Sequence, residues 1–498
     1  MHDYGFLSIV PPILTIVVAL YSKNVILALI VGVVSGSLII TGFNPFAAML
    51  NAIEEQVLAE FSSGTQAQVL ITMMVIGGFV KLLEESGGAK AFARRMTTIV
   101  STRARAQLLA WLSGLGIFFT DSGNALIIGP LYRSVFDEFK LCREKLAYIL
   151  DTTSSPISIL IPFIGWGAYI MSLIEKAYAE VGLTENEFTV LLKVIPYQFY
   201  AFLALITVPV VIMTGKDYGP MKRIQREYLE RRQFRSAASP SQRENDVVKT
   251  PLGMFLYPLG MMLCLVGALI TWHWTHDGIT GAHIRSTLII SYLAASMTCM
   301  IMMRRHRDTG FTESLGMFFK GAESLVYVSI VLVLAWSLSS VTSDIRTADY
   351  LASIISDTVA PAYFPMLVFV LGALISLSTG SSYGTFAILM AIAVPVGFEL
   401  GASMYLTIAA VLSGGLFGDH CSPISDTTVL ASVGADCPHL NHVTTQGAYA
   451  GLTGLVTILA YWMAGLYETP SVLLVAVVIL VTGMTMAMRI WGEEAVPD

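Results

Sequence analysis

The chain has 498 residues, of which only 13% are charged and 55% are hydrophobic, and its mean hydropathy is +0.70. A water-soluble domain carries ~25% charged residues, so the composition excludes one and requires a chain that crosses a bilayer many times. The formal net charge of −6 carries little information because the charges are segregated. The five cysteines (Cys142, Cys264, Cys299, Cys421 and Cys437) have neither disulfide nor metal spacing. Residues 1–22 lack a basic start and a small-residue cleavage site, so the first apolar run reads as a retained span.

Apolar runs follow near 6–21, 24–41, 66–82, 107–135, 146–170, 194–214, 251–272, 285–303, 320–340, 362–400, 403–433, 443–465 and 470–491. About twenty apolar residues cross a ~30 Å hydrocarbon core. Two runs are longer and are interrupted near their middle, 107–135 by TDSGN at 120–124 and 362–400 by TGSSYG at 379–384. Each half is too short to cross alone. The expected form is a re-entrant helical hairpin whose polar tip lies at membrane depth, which is tolerated only inside protein or beside an aqueous cavity. Two other runs contain a Ser-Pro-Ile-Ser element, 146–170 within DTTSSPIS at 151–158 and 403–433 within GDHCSPISDTT at 418–428. Proline removes a helix hydrogen bond and its predecessor avoids helical dihedrals, so these are expected to be broken spans.

The order occurs twice: three spans, a hairpin, a broken span and one more span. The first copy covers about 1–214 and the second about 251–465, with an extra span at 470–491. Between them, 215–250 holds nine Lys/Arg, five acidic residues and a polar stretch at 236–246, and reads as a solvated basic cytoplasmic linker. Segments 81–105, 136–146, 215–250 and 304–310 together hold 21 Lys/Arg, whereas 42–65, 172–192, 273–285, 341–361 and 466–471 hold three (Lys176, Arg285 and Arg346). Basic loops stay cytoplasmic, which sets the N-terminus outside and the C-terminus inside. The two copies then have opposite topology. The predicted fold class is therefore an all-α polytopic membrane protein with an inverted-topology repeat, two re-entrant hairpins and two broken transmembrane helices. Secondary transporters with such repeats hold their sites near the midplane. With no P-loop motif and no soluble-enzyme motif in the chain, it is expected to be neither ATP-driven nor an enzyme, to need no cofactor and to bind no nucleic acid.

Carboxylates at membrane depth cost roughly 2.5–3.5 kcal/mol on insertion scales, so the few present are the candidate ion-binding and proton-coupling groups: Asp121 at the first tip, Asp151 at the first break, and Asp419 and Asp426 around the second. His420, beside Asp419, titrates in the physiological range when unperturbed. Further oxygen ligands lie at the same tips and breaks: Ser122, Asn124, Thr152, Ser155, Thr379, Ser381, Ser382, Ser422, Ser425 and Thr427. A hard cation is held by such oxygens, and Na+ is expected at Asp151, Asp419, Asp426, Ser422 and Ser425. Half-helix N-termini at the tips favour an anionic group instead, so a cation, a small carboxylate substrate, or both fit the architecture. Desolvation raises a carboxylate toward neutrality while a bound cation favours its charged form, so protons and cations would compete for one site.

The stretch GDHCSPISDTTVLAS at 418–432 resembles the NhaC-type sodium/proton antiporter family, as do FFTDSGNALIIGP at 118–130, DTTSSPISILIPFIGWGAYI at 151–170 and STGSSYGTFAI at 378–388. The resemblance runs over about 60–465 and leaves 215–250 unmatched. The second-break motif matches at Asp419, His420, Ser422, Pro423, Ser425, Asp426 and Thr427, and the first at Asp151, Thr152, Ser155 and Pro156. It implies a secondary transporter of the bacterial cytoplasmic membrane with the paired hairpins of a wider ion-transporter class, and by likeness to that class a homodimer. Some members exchange Na+ for H+; others couple Na+ and H+ to malate and lactate exchange.

Overall fold

A computed structural model of the protein describes residues 4–234, 250–276, 278–356 and 358–494. Their regular secondary structure is helical except for one two-residue antiparallel pair, β1 (Lys216–Asp217) with β2 (Glu493–Glu494). Among the described residues nine helices are long and apolar enough to cross a membrane. The number rises to ten if Glu187–Tyr197 and Phe199–Thr214, bent by 45°, form one span. The chain is thus an all-α, multi-pass membrane protein.

The first half runs α1 (Val10–Ser22), α2 (Val25–Ile40), α3 (Gly64–Glu85), then α4 (Arg103–Gly116) and α5 (Asp121–Glu138). It continues with α6 (Arg143–Thr152), a single turn at Ser155–Ser158, α7 (Gly165–Glu180), α8 (Phe199–Thr214) and α9 (Gly219–Phe234). The second half runs α10 (Gly253–His276), α11 (Gly281–Arg307), α12 (Val326–Asp344), α13 (Phe364–Thr379) and α14 (Ser382–Glu399). Then come α15 (Met404–Cys421), α16 (Asp426–Ala435), α17 (His439–Tyr467) and α18 (Val472–Ile490).

Local chemistry explains the interruptions. At both tips the second helix starts on a hydroxyl cap: Thr120 accepts from the Gly123 N–H (3.0 Å) and Ser381 from the Gly384 N–H (3.2 Å), each satisfying an N-terminal donor that has no partner inside the helix. α13 stops where Gly380 turns left-handed (φ +63°) and its N–H returns to the Ser376 carbonyl (2.8 Å). Both hairpins close on themselves. Ser113 and Tyr132 share a hydroxyl hydrogen bond of 3.0 Å across α4 and α5, and a Cβ on Gly397 would lie 3.1 Å from the Phe364 ring across α13 and α14. α15 ends at Ser422, whose extended backbone (ψ 130°) is what the following Pro423 demands.

α5 crosses α16 with backbone against backbone. A Cβ on Gly129 would stand 2.3 Å from the Gly434 carbonyl oxygen, and one on Gly434 2.4 Å from that of Ala125. No side chain can move aside there, so Gly129→Ala is expected to force the helices apart and cost about 1–3 kcal/mol. Thermal unfolding of the purified protein reads this. Gly260→Ala, where nothing lies within 4 Å, is expected to be neutral or slightly stabilising.

Three expectations need correction. The halves of the second hairpin are not too short to cross alone: Pro361–Thr379 and Ser382–Glu399 are both among the nine helices of crossing length, because the 3-10 turn at Pro361–Tyr363 extends the first. The break in the first broken span is wider than its Ser-Pro element, because Pro162 follows and α7 starts only at Gly165. The described part of 215–250 is not a solvated linker: α9 is docked, with Met221, Ile224 and Gln225 buried along one face and Asp217 buried ahead of it. Lys222, Arg223, Arg226, Glu227 and Glu230 occupy the other face, a pattern that composition alone does not reveal. The polar stretch 236–246 lies outside the described residues.

Candidate functional site

The first tip is pinned to the first break. Asn124 is fully buried, and its Nδ2 donates to the carbonyls of Gly114 (3.0 Å) and Thr153 (2.8 Å). Ser158 Oγ donates to the Phe118 carbonyl (3.2 Å). Asp121 is half-buried and accepts from the Ser122 N–H (2.7 Å), the Ser122 hydroxyl (3.2 Å) and Trp166 Nε1 (3.1 Å). Thr120 donates to Glu84 Oε1 on α3 (3.0 Å).

The second tip rests on the second break in the same way. A Cβ on Gly380 would meet the Ile424 backbone at 2.8 Å, and Ser422 Oγ donates to the Leu377 carbonyl (2.8 Å). Ser382 is buried beside the Asp419 carboxylate together with Ser425. Ser425 and Thr427 share a hydroxyl hydrogen bond (3.1 Å), and Asp426 accepts from the Thr427 N–H (2.9 Å). Asp426 is exposed, unlike Asp151 and Asp419. Thr379 bonds only its own helix, at the Ile375 carbonyl (2.9 Å).

The two halves then interlock. Tyr169 on α7 donates to the Tyr383 carbonyl at the second tip (2.8 Å), and the Trp166 and Tyr383 rings lie 4.7 Å apart. Thr152 and His420 bond across the two breaks (3.2 Å), and His420 Nδ1 bonds the Tyr200 hydroxyl (2.7 Å). Asp151 Oδ2 accepts from Gln446 Nε2 (2.7 Å) and lies 3.4 Å from His442 Nε2, while Gln446 also donates to the His420 carbonyl. Asp419 is within electrostatic reach of Asp426 and Asp151, and Asp426 of Asp121.

Among the described residues this convergence leaves buried acceptors without a partner. They include Asn124 Oδ1, Asp151 Oδ1, Asp419 Oδ1 and Gln446 Oε1, with the Ser155 and Thr428 hydroxyls alongside. Buried polar atoms are ordinarily paired, and these are mostly oxygens that can only accept. Among the described residues no Lys or Arg forms an ion pair with Asp121, Asp419 or Asp426. An all-oxygen donor set carrying uncompensated negative charge is the chemistry of a hard cation. A cavity of about 250 Å³ lined by Glu180, Thr342, Arg346, Asp349, Pro395 and Glu399 flanks the C-terminal ends of α7 and α14.

His442, Gln446, Tyr200, Trp166, Tyr383 and Glu84 are the functional candidates that the sequence did not single out. His442 and Gln446 carried a usable signal, since polar residues four apart share one face of a helix in an otherwise apolar span.

The sequence model of the Na+/H+ antiporter family matches residues 159–466. The chain belongs to this family. The match takes in the second hairpin and the second break and begins just after Ser158. An uncharacterized protein of Haemophilus influenzae is 29% identical over 469 residues, covering 92% of this chain and 90% of its own. The Na+/H+ antiporter NhaC of Alkalihalophilus pseudofirmus is 28% identical over 169 residues (33% of this chain, 34% of its own). The malate-2H+/Na+-lactate antiporter of Bacillus subtilis is 33% identical over 110 residues (21% and 24%). Two solved transporters share the fold at 14% identity: Neisseria gonorrhoeae MtrF (TM-score 0.58, 84% of each chain) and Alcanivorax borkumensis YdaH (TM-score 0.59, 86% of this chain and 90% of its own).

Proposed function

We propose that this family member exchanges Na+ for H+ across the bacterial cytoplasmic membrane by alternating access. One observation carries the reading: Asp151 and Asp419 are buried at the two breaks, within electrostatic reach of each other, and each has one oxygen with no hydrogen-bond partner among the described residues. Na+ binds there to Asp151, Asp419 and Asp426 with Ser422 and Ser425, and the Ser382 and Thr427 hydroxyls complete the oxygen shell. Asp426, the exposed carboxylate, receives the ion at the mouth. Protons and Na+ compete for the same carboxylates, so a site loaded with one excludes the other. If the site crosses only when loaded, opening it alternately to each side yields exchange. Membership in the Na+/H+ antiporter family supports this reading.

The two halves act as an inverted-topology repeat with the N-terminus outside and the C-terminus in the cytoplasm. The skew of Lys/Arg supports the orientation, as does the pairing of β1 with β2, which sets 216–217 and 493–494 at one end of the molecule. The test is a Na+ step applied to proteoliposomes containing a pH-sensitive dye, with choline as the control cation. Na+-dependent, saturable proton movement is expected, and its absence refutes the reading.

A second reading is coupled transport of a small organic acid or amino acid. The N-terminal ends of α5, α14 and α16 all lie at the tips and the second break, and helix N-termini favour carboxylates. The similarity to a malate-2H+/Na+-lactate antiporter agrees with it. Malate, lactate and amino acids added to the same vesicles are expected to stimulate exchange under this reading only.

A further inference from the structure

α6 presents Asp151 at its inner end, yet its opposite end has no cap of its own. The N-cap residue, Cys142, supplies no side-chain hydrogen bond. Gln225 on α9 takes over: its Oε1 accepts from the Cys142 N–H (2.8 Å) and its Nε2 donates to the Lys140 carbonyl (2.8 Å). Gln225 is 2% exposed, and the fully buried Met221 lies against Cys142, sulfur to sulfur at 3.8 Å. Just ahead, buried Asp217 accepts from Lys145 Nζ on α6 (2.5 Å) and from the Tyr449 hydroxyl on α17 (3.0 Å). Tyr218 donates to the Ala448 carbonyl, also on α17 (2.7 Å).

One short segment therefore grips both helices that define the surroundings of Asp151. α6 carries the carboxylate itself, and α17 carries His442 and Gln446, which face it. Ten helical residues span about 15 Å, so α6 transmits a shift at Cys142 to Asp151 as a rigid rod. The β1–β2 pair and the Lys222–Glu493 ion pair (3.0 Å) tie the C-terminal end of the chain to the same segment.

We propose that residues 216–228 form a clasp that positions Asp151 for ion binding, with Gln225 and Asp217 as positioning residues. The inference rests on the reading of Asp151 as part of the transport site. Gln225 touches neither ion nor carboxylate; it acts through α6.

The full-length protein in proteoliposomes, stepped with NaCl against choline chloride, tests it. In Gln225→Ala the apparent KM for Na+ is expected to rise ~10-fold, as for other outer-shell partners of ligands, with the maximal rate little changed. Gln225→Glu keeps the acceptor facing the Cys142 N–H and loses the donor to Lys140, so its KM is expected to fall between the two. It also supplies the readout should the alanine variant fail to fold. A merely structural role would lower the unfolding temperature and leave the KM of the folded fraction unchanged. Asp151→Asn separates the two ideas. A wild-type KM in the Gln225 variants together with a lost Na+ response in Asp151→Asn overturns the clasp and spares the site. Wild-type exchange in Asp151→Asn overturns the site reading, and the clasp with it.

Discussion

Asp419→Asn is expected to lower Na+-dependent proton exchange ~100-fold while leaving the protein at least as stable as the wild type. Loss of a desolvated charge from a buried interaction costs about 3 kcal/mol, which is a factor of ~100. The stability half of the expectation follows from its surroundings. Asp419 is 3% exposed, and among the described residues one of its oxygens has no partner and no Lys or Arg pairs with it. Folding therefore carries the cost of burying that group, and a neutral isostere removes it. Exchange and unfolding should move in opposite directions, which distinguishes an ion ligand from a structural residue. Ser382→Ala, which removes one hydroxyl beside Asp419, is expected to weaken apparent Na+ affinity by less. Wild-type exchange in Asp419→Asn would sink the assignment.

Lys145→Met is expected to have the largest effect on stability. Lys145 and Asp217 form a 2.5 Å ion pair with side chains only 4% and 1% exposed. Removing one partner strands the other charge away from water and costs about 3–5 kcal/mol. Asp217 would retain only the Tyr449 hydroxyl, a weaker compensation than an ammonium. Replacing both partners with apolar residues is expected to restore most of the loss, because the pair's desolvation penalty disappears with it. A double-mutant cycle of Lys145→Met and Asp217→Leu, read by denaturant unfolding in detergent, checks this. Single variants within about 1 kcal/mol of wild type would show that the pair is solvated in the protein.

The contrast between these two groups follows from partner count. Both are buried acids, but Asp217 faces a cation and a hydroxyl, whereas Asp419 faces other carboxylates and serine hydroxyls. Nothing in the residues adjacent in sequence separates them. Asp419 stood out because GDHCSPISDTT interrupts an apolar run; Asp217 looked like one more charge in a polar linker.

The same limit explains what was missed at the site. Asp151 and Gln446 lie 295 positions apart, so the donors to that carboxylate cannot be read from its neighbourhood. The docking of α9 did leave a trace, since Met221, Ile224, Gln225 and Tyr228 recur at helical spacing on one face. Nine basic residues concealed it. The hairpins and breaks were legible because their causes are local: a hydroxyl cap at Thr120 or Ser381, a left-handed Gly380, and a proline that its predecessor must accommodate.

The order of most of the apolar helices along this chain, their membrane character and the approximate positions of their interruptions were written in the amino acids. Transfer of apolar residues into hydrocarbon is nearly additive, and helix capping acts over three or four positions. Which oxygens converge, which of them stay unpaired, and that Gln225 reaches the end of α6 were decided only by packing. A buried polar atom is satisfied or left wanting by partners drawn from the whole chain.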